Sequence, residues 1–162
     1  MAKDGQIIYE RYQGMGYREK DIAITEETPL HLASVSKVLT ATAIMLLVDY
    51  GKLDLDQKVN TIIENFPYPE ITVRTLLNHR SGLRNYAYFT EDKGVWDRKK
   101  TLTNQDMANL LSEKNIQLEF PTNKRFAYCN TNYALLALII EKVSGVSYPQ
   151  AMQEMIFKPL GM

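Results

Sequence analysis

Only one cysteine, Cys129, occurs among the 162 residues, so an internal disulfide is impossible and the thiols carry no information about compartment. A surplus charge of either sign is missing as well: lysine plus arginine number 19 and aspartate plus glutamate number 19, a formal net charge of zero. No basic stripe points to nucleic acid, and no acidic tail points to a cationic partner. The clusters Arg98-Lys99-Lys100 and Lys124-Arg125 are short and separate, as solvated surface is. Long apolar runs are scarce. The most apolar stretch, Ala41 to Val48, falls far short of the roughly 20 residues that span a bilayer. No charged segment followed by an apolar one opens the chain, so no secretory leader is expected and the chain as given is expected to be soluble. Internal repeats and low-complexity segments are absent too. What remains is ordinary globular composition, 45% hydrophobic and 23% charged, in a length that can bury one core.

Periodicity divides the chain. Gln6 to Tyr12 is rich in β-branched and aromatic residues, and Gly14-Met15-Gly16 then Tyr17-Arg18-Glu19 follow it. That reads as strand, glycine turn and strand, a hairpin that must lean on something to be stable. A helix is predicted from near Ser34 to Val48. Its apolar positions cover nearly the whole circumference, which predicts a buried helix running through the middle of the molecule. Gly51 stands where a helix-ending glycine belongs. Shorter helices are predicted at Val59 to Asn65, Val73 to Asn78, and Asn104 to Lys114, the last capped by Thr103 or Asn104. Residues 83–101 are aromatic without a period, and unstructured stretches of that length are usually functional or mobile. A second strongly apolar helix is predicted from Thr131 to Val143 with Gly145 as its stop, then a last one from Tyr148 to Ile156.

Three landmarks carry chemistry. Ser34 and Lys37 are three apart at a helix start and so lie about one turn from each other. A serine hydroxyl is a poor nucleophile until a base takes its proton, and a lysine can be that base when burial or positive potential lowers its pKa. The helix N-terminus supplies such potential, and the Ser34 N–H can stabilise an oxyanion. The bland alternative is a capping serine beside a snorkelling lysine. Next, Tyr128 and Asn130 precede the second apolar helix. A phenol beside a serine can relay its proton, and an amide can donate and accept at once; alternatively Asn130 or Asn132 merely caps the helix and Tyr128 packs. The third landmark, Leu76-Leu77-Asn78-His79-Arg80-Ser81-Gly82-Leu83, reads as a helix ended by a Ser-Gly turn. His79 is expected to be a polar surface or helix-end residue, since nothing in the sequence puts it near Ser34. Cys129, leading into an apolar helix, is expected to be buried and inert.

The order and spacing of these landmarks are more specific than any one of them. Ser34-Val35-Ser36-Lys37 opening an apolar helix, Leu-Leu-x-His-x-Ser-Gly-Leu about forty residues on and Tyr-x-Asn about fifty beyond that resemble the serine β-lactamase and penicillin-binding-protein family. The nearest branch is that of class C β-lactamases, D-alanyl-D-alanine carboxypeptidases and related esterases. The flanking stretches 4–19, 51–59 and 157–162 resemble it as well. The resemblance implies a serine acyl-enzyme hydrolase or acyltransferase acting on β-lactam, D-Ala-D-Ala peptide or ester substrates, with no cofactor and no metal. Carried over residue by residue, Ser34 is the acylated nucleophile, Lys37 its partner, Tyr128 the general acid/base and Asn130 the substrate-orienting amide. It implies an α+β, mostly helical fold: a helical region over 26–162 and an N-terminal β-hairpin over 1–25, lacking most of the family's central antiparallel sheet. Relatives continue past Pro159-Leu160-Gly161-Met162 into that sheet and a third motif, Lys-Thr-Gly or His-x-Gly, and usually work in the periplasm, the envelope or outside the cell. The chain is therefore expected to carry the nucleophile half of such an enzyme; the alternative is a catalytically silent lobe serving as a binding or interaction module. Its partner would be a small-molecule or peptidoglycan-like substrate and no nucleic acid. The apolar face left uncovered predicts a homodimer or a swap of elements.

Overall fold

A computed structural model describes all residues, 1–162. The chain is α+β with far more helix than strand, and it divides into two units, Met1–Ala33 and Ser34–Met162.

The first unit holds two separate antiparallel pairs in place of the single hairpin expected. β1 (Ala2–Lys3) pairs with β2 (Gln6–Ile7), and β3 (Met15–Tyr17) pairs with β4 (Ile22–Ala23). The turn between β1 and β2 is Asp4-Gly5, both at positive φ (52° and 76°), the backbone that a two-residue hairpin of right-handed twist requires. That Asp-Gly signal, and not Gly14 to Gly16, makes the first turn. Met15-Gly16-Tyr17 is itself a strand, and its return runs through a short 3₁₀ turn, Arg18–Lys20, closed by Asp21 at φ 53°. The strand expected over Gln6 to Tyr12 stops at Ile7 because no further strand lies beside it to accept its hydrogen bonds.

The second unit is built around one helix. α1 (Ser36–Asp49) follows a 3₁₀ turn at Ala33–Val35. It ends in a Schellman motif: the Gly51 N–H donates to the Val48 carbonyl at 2.9 Å and Lys52 N–H to the Leu47 carbonyl at 2.9 Å. α2 (Val73–Leu77) opens on a reciprocal Thr72–Thr75 cap, and α4 (Asn104–Glu113) on a Thr103–Asp106 capping box. Between them a single turn, α3 (Tyr86–Phe89), gives the 83–101 stretch its anchor, since Phe89 is fully buried. α5 (Asn130–Ser144) ends at Gly145, left-handed at φ 76°. α6 (Tyr148–Met152) runs through a π-turn, Gln153–Phe157, into α7 (Lys158–Leu160). The helix expected from Val59 is only the 3₁₀ turn Val59–Thr61. No helix is long and apolar enough to cross a membrane.

α5, not α1, is the central helix. Leu135 through Ile140 are all buried, and the helix packs against α1, α2, α3, α4 and α6. Each fully buried Leu or Ile contributes about 1.5–3 kcal/mol by leaving water. α1 buries only Thr40, Ala43, Ile44 and Leu47, while Val38 is 65% and Met45 46% exposed. The all-round apolar pattern of α1 thus exceeds what this unit covers.

Candidate active site

The site forms where the start of α1 meets the strand-like segment entering α5. Ser34 lies in the 3₁₀ turn, one residue after Ala33, which has a left-handed φ of 47°. A Cβ-bearing residue there costs about 1–2 kcal/mol. Ser34 caps no helix, since α1 has Val35 at its N-cap and no side-chain cap. Its Oγ lies 2.7 Å from Tyr128 Oη, and Lys37 Nζ donates to Oγ at 3.1 Å. The Lys37 ammonium also sits 5.0 Å from the centre of the Tyr128 ring and 5.8 Å from that of Tyr133. Tyr128 is half exposed, yet the Lys37 ammonium, and after it the Ser34 hydroxyl, hold its phenol below the usual tyrosine value. A cation favours the phenolate.

A second, buried layer holds Tyr128 in reach. α2 ends in a Schellman motif whose left-handed residue is His79 (φ 56°): the His79 N–H donates to the Leu76 carbonyl at 3.2 Å and Arg80 N–H to the Thr75 carbonyl at 2.9 Å. The turn that follows pairs with residues 119–127. Glu119 N–H donates to Gly82 O, Asn123 N–H to Arg80 O and Ala127 N–H to His79 O, at 2.9, 2.7 and 2.9 Å. Gly82 is at φ 82°, and a Cβ there would stand 2.1 Å from Phe120 O. Only glycine fits that approach. The Arg80 guanidinium adds two bonds to Asn123, one to its side chain and one to its carbonyl.

His79 is thus a helix-end residue, as expected, but it is not on the surface: it is 8% exposed and packed on the site. Its ring centre lies 4.7 Å from that of Tyr128 and 5.1 Å from that of Tyr133. Burial first, and the Lys37 charge second, push its imidazole below the usual histidine value. Asn132 is fully buried and caps nothing. It takes a 2.6 Å hydrogen bond from Ser81 Oγ and its amide nitrogen stands 3.0 Å from His79 Nδ1. Asn130 opens α5, and its Oδ1 is buried with no hydrogen-bond partner, a state that costs about 1–3 kcal/mol until a donor arrives. Cys129 is buried, and burial pushes its thiol up. A cavity of about 560 Å³ lined by Pro67, Tyr68, Arg74, Asn78 and Asn123 contains none of the four candidate residues.

The structure therefore brings Ser34, Lys37 and Tyr128 into one hydrogen-bonded group. Sequence reasoning missed His79, Asn132 and Ser81 as its buried support. His79 and Ser81 sit two apart in one turn and Asn132 two beyond Asn130, but no local pattern says that the turn and the helix start meet.

The comparisons agree on one family. A family model described as Beta-lactamase matches residues 1–162. Penicillin-binding protein 4* of Bacillus subtilis (strain 168) is 40% identical over 168 residues, which cover 99% of this chain and 35% of that protein. A D-aminopeptidase of Brucella anthropi is 31% identical over 162 residues, all of this chain and 31% of that protein. Among solved structures, EstCE1, described as a hydrolase with promiscuous acyltransferase activity, superposes with a TM-score of 0.85 at 27% identity, over 99% of this chain and 45% of that one. The chain thus spans between about a third and a half of the length of these relatives.

Proposed function

The chain belongs to the β-lactamase family, and from that premise we propose that it carries the nucleophile half of a serine acyl-enzyme hydrolase or acyltransferase. The observation that carries the reading is the Ser34–Tyr128–Lys37 triangle. With its phenol acidified beside Lys37, Tyr128 takes the Ser34 proton as the Oγ attacks an acyl carbon. The Lys37 ammonium stays in place to hold the negative charge that develops. The C–N or C–O bond of the substrate then breaks, and Tyr128 returns the proton to the departing amine or alcohol. Water attacks the acyl-Ser34 ester in the second half, with Tyr128 again taking the proton, and regenerates the serine. The orphaned Oδ1 of Asn130 supports its role as the substrate-orienting amide, since a substrate N–H would satisfy it.

The names of the relatives supply the substrate class: a penicillin, a D-amino-acid peptide or amide, or an ester. The exposed Val35, Val38 and Met45 support the view that the α1 face is covered by sheet in a whole enzyme and by a second copy in this chain. Sedimentation checks the last point, and a monomer at all concentrations would refute it.

Intact-protein mass spectrometry after incubation with a penicillin, and separately with an activated ester, tests the chemistry. An acyl adduct on the wild type, absent from Ser34→Ala and strongly slowed in Tyr128→Phe, is the expected result. No adduct on folded protein would favour the second reading, a silent lobe. That reading draws on the exposure of Ser34 and Tyr128, because the loss of one oxyanion donor costs about a hundredfold or more in rate.

A further inference from the structure

The acyl-transfer scheme leaves His79 without a task, although it grips the segment bearing Tyr128 at three consecutive residues. Its carbonyl accepts the Ala127 N–H at 2.9 Å, its ring lies against the Tyr128 ring, and its Nδ1 accepts the Cys129 N–H at 3.2 Å. The ring is itself held in one state by a directed chain of hydrogen bonds. Ser81 Oγ accepts the Leu83 N–H at 3.1 Å, so its own proton goes to Asn132 Oδ1 at 2.6 Å. That turns the Asn132 amide nitrogen toward His79 Nδ1, at 3.0 Å. With two N–H groups aimed at it, Nδ1 carries no proton and the neutral ring is protonated at Nε2.

We propose that His79 is the positioning residue for Tyr128, a proposal that rests on the acyl-enzyme reading: its ring, locked as the Nε2–H tautomer by Cys129 and Asn132, keeps the phenol against Ser34 and Lys37. Tyr128 needs such a hold. Half exposed on an extended segment, it has solvent-side freedom to swing about χ1, and a phenol that swings away leaves both the serine proton and the cation that acidifies it. Rate and acidity should then fall together, which a general loss of stability would not produce.

His79→Asn isolates the ring. Asparagine Oδ1 stands as many bonds from the backbone as histidine Nδ1, so both hydrogen bonds have an acceptor, and asparagine tolerates the left-handed backbone better than any other Cβ-bearing residue. What is lost is the ring itself: its Nε2–H and its faces and edges against Tyr128, Tyr133 and Phe126. The 162-residue chain, labelled with ¹³Cζ-tyrosine and with the Tyr128 resonance assigned through Tyr128→Phe, is titrated as wild type and as His79→Asn, and its acylation by an activated ester is timed. The expected result is a folded variant whose Tyr128 phenol titrates at higher pH than in the wild type. Its Ser34 should acylate about ten- to a hundredfold more slowly, the scale of effect that small misplacements have. A folded variant with unchanged titration and unchanged rate overturns the proposal. A wild type that forms no adduct refutes the acyl-enzyme reading, while the Tyr128 titration still decides whether His79 positions that ring. Should His79→Asn not fold, ¹⁵N spectra of the wild type, with His31→Gln leaving one histidine, carry the test: a proton on Nε2 is expected, and one on Nδ1 overturns the proposal.

Discussion

Met1–Ala33 and Ser34–Met162 both contain large apolar residues and use them in opposite ways. In the first unit Ile7, Ile8, Tyr9, Tyr12 and Ile22 are all exposed, and no residue is buried. Its strands of two or three residues are set by turns and a few backbone hydrogen bonds. In the second unit every buried apolar side chain except Ala137 joins one core around α5. Strand propensity without a neighbouring sheet yields only the residues next to a turn, whereas an apolar helix with partners on several sides organises everything around it.

Breaking the core side of that contrast should give the largest effect. Leu136→Ala, at the fully buried centre of α5, is expected to cost about 2–5 kcal/mol in urea unfolding, because neighbours packed all round cannot collapse into the gap. Gly82→Ala comes next, at about 3 kcal/mol, since it combines a left-handed backbone with a methyl driven into Phe120 O. It should also slow acylation at Ser34, because the 79–82 turn holds the Tyr128 segment.

Mild acid, above the carboxylate range, sharpens the comparison by acting on the second unit through His79. His79 lies below its ordinary value of 6.5 in the folded chain, so near that pH the unfolded chain binds a proton that the native state refuses. Its contribution to stability is therefore complete above about pH 6.5 and is lost as pH falls through the lowered folded value, at no more than about 1.4 kcal/mol per pH unit. Urea midpoints taken over a pH series should show that slope in the wild type and a shallower one in His79→Asn. Removing a cap is milder: Thr103→Ala should cost about 1 kcal/mol through the first turn of α4. Ile8→Ser, in the first unit, should stay within about 0.5 kcal/mol. A cost for Ile8→Ser as large as that of Leu136→Ala would abolish the distinction between the units.

What could be read in advance follows the range of the forces involved. α1, α2, α4 and α5 were legible because caps, helix-ending glycines and apolar spacing act within a few residues. Ser34, Lys37, Tyr128 and Asn130 were singled out by residue chemistry at local spacing, and Ser34, Lys37 and Tyr128 do converge. The strand over Gln6 to Tyr12 failed because a strand needs a partner that its own residues do not name. α1 was expected at the centre because its composition says how much it can bury and not how much is there to cover it.

By itself, the sequence determined α1, α2, α4 and α5, their stops, the burial of Cys129 and the residue types able to carry acyl transfer, since each depends on near neighbours and intrinsic chemistry. Only the tertiary structure decided that α5 is the hub, that α1 keeps an open apolar face, and that His79, Ser81 and Asn132 lock together behind Tyr128. Those outcomes depend on contacts between residues some fifty positions apart, where burial and directed hydrogen bonds choose among many arrangements that the local signals leave equal.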